Sequence, residues 1–148
     1  MHLEYEFTVV FDLKAPLEIG AGPFGVRRYY EVFGATIEGK RIKAKALTGG
    51  GDWVLVGADG FARLDVRVQF LTEDGAPIYA YYPGLLELNQ KVDQAIANGG
   101  QTDYGDQYFR VTPRFETGDE RYAWLNQTLF AAEGRVGAGM VEYKVYRF

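Results

Sequence analysis

Cysteine is absent from the 148 residues, which excludes disulfides, thiolate metal sites and thiol nucleophiles. Histidine is almost absent. The single one is His2, and a position so near a chain terminus is a poor place to hold a base or ligand, because termini are usually mobile. Histidine triads and histidine metal clusters are therefore not expected. No stretch approaches the ~20 apolar residues that a membrane-spanning helix needs. The opening MHLEYEFTVV carries two glutamates where a secretory leader has a basic region and an apolar block. The expected address is the cytoplasm, with no membrane partner. An excess of positive charge is missing too: 16 Lys and Arg face 20 Asp and Glu, a net charge of −4. That balance argues against nucleic acid, whose phosphates must be met by a positive patch. No loop carries acids at the spacing of a calcium or magnesium site, and no metal and no cofactor are expected.

What is present is apolar and aromatic. At 47% hydrophobic and 16% aromatic, the chain can bury one sizeable core, and its length fits one domain over 1–148. Leu3, Tyr5, Phe7, Val9, Phe11 and Leu13 alternate with Glu4, Glu6, Thr8 and Asp12, the period of a half-buried strand. EIGAGPFGVRR holds glycines and a proline and reads as a loop entering another strand. RIKAKAL alternates again, and further strands are expected at 53–57, 61–71, 77–82, 108–116, 124–133 and 140–147. Leu85, Leu88, Val92 and Ile96 recur at spacings of three and four, which predicts one amphipathic helix over about 85–97. The glycine-rich 98–107 then reads as a mobile surface loop or lid. Many short antiparallel strands with one helix give a mainly β fold, a single antiparallel β-barrel whose closure removes exposed sheet edges.

The blocks GPFGVRR, GATIEGKRIKAKALTGGGDW, DGFARLDVRVQFLTEDGAPIYAYYPG, YFRVTPRFETGDERYAWLNQTLF and VYRF, in that order, resemble the DUF3237 family, also called UPF0311. The resemblance runs over nearly the whole chain. It implies a compact antiparallel β-barrel of bacterial or fungal origin, and some members are associated with aromatic-compound breakdown or natural-product pathways. The segment 84–107 departs from the family pattern.

Candidate chemistry gathers on a few positions. GGGDW places Asp52 and Trp53 after three glycines, where the backbone can take conformations closed to other residues and point a carboxylate into a cavity mouth. A carboxylate near apolar rings can act as acid or base; the plainer reading is a tight Asx-type turn. In 62–70 the apolar Ala62, Leu64, Val66, Val68 and Phe70 alternate with Arg63, Asp65, Arg67 and Gln69. Facing inward, Arg67 would grip a substrate carboxylate through its planar fork; facing outward, it is a solvated charge worth little. Tyr79 and Tyr81 share one strand face, with Ile78, Ala80 and Tyr82 on the other. They could hold a carboxylate or move a proton, or simply pack on a pleated surface. Tyr108, Arg110, Thr112 and Arg114 form another polar parity, and Pro113 marks an edge or bulge. Trp124 is a candidate ring platform or a core residue, Asn126 needs a partner if buried, and Arg28 joins the substrate-binding set.

The expected function is a cofactor-independent enzyme acting on a small aromatic or phenolic carboxylated compound inside the barrel. Lyase chemistry such as decarboxylation, or a proton-transfer isomerisation or cyclisation, is the expected reaction. Arg67 or Arg110 would fix the anion, Asp52 with Tyr79 would move a proton, and Trp53, Tyr81 and Trp124 would stack on the ring. Paired tyrosines with an arginine and an acid serve cofactor-free phenolic acid decarboxylases on another small barrel, an analogy only. The rival readings are a barrel that binds a hydrophobic small molecule without turnover, a purely structural protein, and a weaker epoxide-type hydrolase. Eleven tyrosines and ten phenylalanines exceed what one small lumen holds, which points to a homodimer.

Overall fold

The computed structural model describes the backbone of residues 1–148 and every side chain except that of Thr48. Ten strands follow in order: β1 (Glu4–Leu13), β2 (Leu17–Gly22), β3 (Gly25–Gly39), β4 (Lys43–Val56), β5 (Phe61–Thr72), β6 (Pro77–Glu87), β7 (Phe109–Val111), β8 (Arg114–Glu116), β9 (Phe130–Gly137) and β10 (Met140–Arg147). Helix α1 (Gln90–Asn98) lies between β6 and β7, and a 3₁₀ helix (Glu120–Leu125) between β8 and β9. No helix is long and apolar enough to cross a membrane.

The sheet closes on itself. β1 pairs antiparallel with β10 on one side and β3 on the other, and the path β10, β9, β7, β6, β5, β4, β3 completes the ring. β7 and β8 occupy one stave against β6, pairing Gly84 with Val111 and Tyr79 with Glu116. They are interrupted at Pro113, which has no N–H for a ladder. The barrel thus has eight staves, with β1 and β2 end to end along the same edge of β3. The EIGAGPFGVRR segment is therefore a hairpin, not a loop: Pro23 and Phe24 make the turn, and Gly25, at φ +137° and paired with Gly22, opens β3.

The two-residue period decides what faces in. Along β5, Ala62, Leu64, Val66, Val68 and Phe70 are buried and Arg63, Asp65, Arg67 and Gln69 are exposed. One end of the barrel is filled by rings: Phe7, Phe115 and Phe130 meet at centroid distances of 5.3 to 6.0 Å. The 3₁₀ helix covers this end with buried Leu125. The other end is roofed by α1. Asn89 caps that helix by accepting from the Val92 N–H at 3.0 Å, and Gly99 ends it at φ +77°. The helix starts later than its periodicity predicts because β6 continues to Glu87; Leu85 remains in the strand.

Two further expectations are corrected here. The 98–107 segment is not a lid, because Thr102 and Gln107 are buried in it. The Val136 N–H donates to the Thr102 hydroxyl at 3.1 Å, and the Gln107 amide donates to the Gly134 carbonyl at 3.1 Å. The expected strand over 124–133 begins only at Phe130. Asp119 caps the 3₁₀ turn before it through the Arg121 N–H at 3.0 Å, and Trp124 lies in that turn.

Candidate functional site

Between the ring-filled end and α1 lies a cavity of about 230 Å³. Its walls are mostly aliphatic, from Leu13, Val32, Val54, Leu64, Val66 and Leu86 among others. Asp52, Arg28, Tyr30, Tyr82, Tyr143 and Asp93 are the groups on its lining that can hydrogen-bond or carry charge through a side chain.

The glycines set Asp52. Gly49 and Gly50 take φ values of +74° and +130°, which only glycine adopts without strain. Around them the β4–β5 register shifts between Ala46 and Gly50. Beyond this bulge Asp52 sits on the interior parity, directly across from Tyr30 on β3 and Val66 on β5. The β4–β5 pairs then skip from Asp52 to Leu55. In the gap the Asp65 N–H donates to the Asp52 carboxyl at 3.0 Å, and the Trp53 carbonyl accepts from the Arg27 guanidinium at 3.1 Å. A carboxyl thus replaces one rung of the sheet and faces the lumen.

Its electrostatics follow from that address. Burial pushes the Asp52 carboxyl up from 3.8 to about 7; the hydrogen bond from the Asp65 N–H opposes this, and the nearby Asp65 charge adds to it. By area the residue is only partly covered, because it borders the cavity. Few polar groups replace the lost water, so desolvation prevails. Burial also raises the Tyr30 phenol, with the Arg28 cation opposing. Arg28 reaches the cavity while its Nε donates to Glu18 at 3.1 Å, so one paired cation stands at the wall.

The other expected site residues do not share this cavity. Arg67 faces outward, donates to the Tyr79 hydroxyl at 2.5 Å and lies 4.6 Å from the Tyr81 ring centre. The predicted trio does meet, but on the outer wall. The Arg67 clamp and the Tyr79 proton shuttle are corrected accordingly: β5 and β6 turn their apolar parity to the core, and hydrophobic burial outweighs any use of the polar parity inside. Arg110 is outside too, 5.3 Å over the exposed Tyr108 ring, and Thr112 is exposed. Trp53 is on the outer parity, its ring 5.0 Å from that of Tyr29 and tilted at 43° to it. Trp124 packs partly against the core beneath the Arg41 guanidinium at 3.7 Å. Asn126 is a bracket: its amide accepts from the Thr117 N–H at 2.8 Å and donates to the Thr117 carbonyl at 2.9 Å. Of the expected set, Asp52 and Arg28 line the lumen.

Arg67→Ala is expected to alter stability by less than about 1 kcal/mol, since it removes an exposed surface contact. Thermal melts of the variant and the wild type check this. Sequence reasoning missed Tyr30, Tyr82 and Tyr143, although the parity that Tyr82 shares with Ile78 and Ala80 is a signal that could have found it.

The sequence pattern described as "Protein of unknown function (DUF3237)" matches residues 1–148. The chain belongs to the DUF3237 family. A UPF0311 protein of Rhodopseudomonas palustris is 31% identical over 150 residues, covering 99% of this chain and 96% of that protein. Among solved structures, a β-barrel-like protein from Acinetobacter baumannii matches this DUF3237 chain with a TM-score of 0.84 at 34% identity, covering 99% and 94% of the two chains. A structure from Penicillium herquei, described as an enzyme, matches with a TM-score of 0.72 at 20% identity, covering 99% and 94%; that likeness extends to the fold.

Proposed function

We propose that this DUF3237 barrel is a cofactor-independent proton-transfer enzyme, an isomerase or cyclase, acting on a small ring compound in the lumen. The observation that carries the reading is Asp52: one carboxyl, turned into an aliphatic cavity and raised to about 7. Such a group is half ionised at neutral pH and can both take and return a proton, the condition for efficient general acid–base catalysis. A cavity of about 230 Å³ is smaller than the roughly 300–1,000 Å³ typical of drug-sized ligands, which suits one or two fused rings. Arg28 offers an anion contact, and decarboxylation of a phenolic acid is the lyase form of the same reading. With Arg67 and Arg110 outside, proton transfer without loss of a carboxylate is favoured. The fungal neighbour described as an enzyme is in keeping with turnover on this fold.

A second reading rests on the largely aliphatic wall, which suits carriage of an apolar molecule. One experiment separates the two. The protein is incubated in D₂O with 2-tetralone and a panel of phenolic acids, and products are weighed by mass spectrometry. Deuterium incorporation above the buffer rate supports proton transfer, and loss of carbon dioxide supports the lyase form. Compounds that raise the melting temperature, as folded-state ligands must, yet return unchanged would replace the enzyme with the carrier.

A further inference from the structure

The floor of the cavity is made of two phenols. Tyr82 on β6 and Tyr143 on β10 are both buried, with ring centres 5.5 Å apart, and Phe11 on β1 lies 6.3 Å and 6.0 Å from them. Beneath these rings is a small void of about 20 Å³ lined by side chains such as Val9, Phe70 and Val145. The rings are therefore a partition between the lumen and the filled end of the barrel. Phe109 braces Tyr143 from the side at 5.2 Å.

As packing elements these residues have no need of hydroxyls. The Tyr143 hydroxyl is buried without a hydrogen-bond partner, and a buried polar group left unpaired costs stability that phenylalanine would avoid. Its neighbour is the phenol of Tyr82: the two hydroxyls lie close enough to act on each other's ionisation, but not in the geometry of a hydrogen bond. Burial pushes both phenols far up, and the Asp52 charge adds to this in both. They stay protonated at neutral pH, as donors, in the same low-dielectric space as the carboxyl. Asp52 stands on the wall two staves from β6 and three from β10. A ring lying in the lumen can touch wall and floor together.

We propose that the Tyr82 hydroxyl, with the Tyr143 phenol behind it, forms a binding site for a ligand's oxygen, so that the lumen takes a ring ketone or enone with its carbonyl on the floor and the adjacent carbon toward Asp52. The proposal rests on the proton-transfer reading for its chemistry but not for its binding. In that chemistry the Asp52 carboxylate removes a proton from the carbon beside the carbonyl. The C–H electron pair becomes the enol double bond, and the carbonyl π pair moves to oxygen, where the Tyr82 hydroxyl, backed by Tyr143, donates a hydrogen bond to the developing charge. The protonated Asp52 then returns the proton to a different carbon of the conjugated system, giving an isomer with no gain or loss of atoms or electrons.

The test uses 2-naphthol, which has the shape of the enol of 2-tetralone, and naphthalene, which lacks the oxygen. Equilibrium binding is measured on the wild type, Tyr82→Phe, Tyr143→Phe and the double variant. The wild type is expected to bind 2-naphthol at least about tenfold more tightly than naphthalene, a difference of ~1.4 kcal/mol. The double variant should lose that preference while keeping its naphthalene affinity. Tyr143→Phe should melt at or above the wild-type temperature, because it deletes an unpaired hydroxyl; a clear drop would give the hydroxyl a structural role and overturn the proposal. So would a preference that survives in the double variant, or no preference in the wild type. Deuterium exchange of 2-tetralone is followed in parallel. Preference with no exchange leaves the oxygen site standing and sinks the proton-transfer reading, whereas exchange without preference sinks the oxygen site alone.

Discussion

Asp52→Asn is expected to lower turnover of any compound the lumen processes by about 10²- to 10⁴-fold, the usual contribution of a positioned acid or base, and to make the protein more stable at pH 8. The amide is nearly isosteric and its oxygen can still accept from the Asp65 N–H, so the local sheet geometry is retained while the ionisable group is lost. The stability effect follows from linkage. The Asp52 carboxyl is raised from 3.8 to about 7 on folding, so between those values the folded state holds a proton that the unfolded chain has released. Below about pH 4 both states are protonated and Asp52 has no differential effect. As pH rises toward 7 the native state becomes progressively less stable, and above about 7 the cost is complete. The full displacement corresponds to ~4 kcal/mol; water in the open cavity reduces this to about 2 kcal/mol. For a chain of this size that is a gain of roughly 4–8 °C in Tm for the variant at pH 8, vanishing near pH 4. Melting curves of the two proteins at both pH values check it, and a variant less stable at pH 8 would contradict the account. In the proposed role Asp52 costs stability and supplies reactivity, a usual compromise at functional sites.

Gly134→Ala is expected to destabilise the fold and the cavity floor together. On β9 this glycine faces inward, and a Cβ built on it falls 2.7 to 2.9 Å from three carbons of the Phe109 ring. Phe109 is fully buried and packs edge-on against Tyr143 at 5.2 Å, so it has nowhere to retreat without disturbing the cavity floor. Inserting a methyl group into such a site costs about 1–3 kcal/mol, or roughly 2–12 °C in Tm. Because the strain passes to Tyr143, affinity for ring ligands should fall with stability. A melt unchanged within 1 °C would show that the floor is looser than its packing implies.

The strands were legible because the period of two holds where it matters: β5 alternates along its length and β1 from Phe7 to Phe11, as a half-buried sheet requires. The barrel's closure was legible from the number of strands and from the family resemblance. Less legible was which parity carries the chemistry. Charged positions such as Arg67 and Arg110 draw attention, yet the interior of a small barrel belongs to the apolar parity. The groups proposed to act are the few polar residues hidden in that parity: Asp52 in step with Val54 and Val56, Tyr82 in step with Ile78 and Ala80, and Tyr143 in step with Val141 and Val145. A polar side chain on an otherwise apolar face is a stronger pointer than a charge on a charged one. The bulge at Gly49 and Gly50 and the skipped rung opposite Asp65 depend on pairing between strands, which local sequence does not encode. The segment after α1 read as mobile because its glycines and acids are turn-forming, but Thr102 and Gln107 tie it to β9.

The most direct measurement is a pH titration of carboxyl carbons by ¹³C NMR on uniformly labelled protein, with Asp52→Asn used to assign the resonance. A carboxyl that titrates near 7 and disappears in the variant is the result predicted by an acid–base group turned into the lumen. An Asp52 resonance that titrates near the ordinary aspartate value of about 4 would show a solvated carboxyl and contradict the central claim.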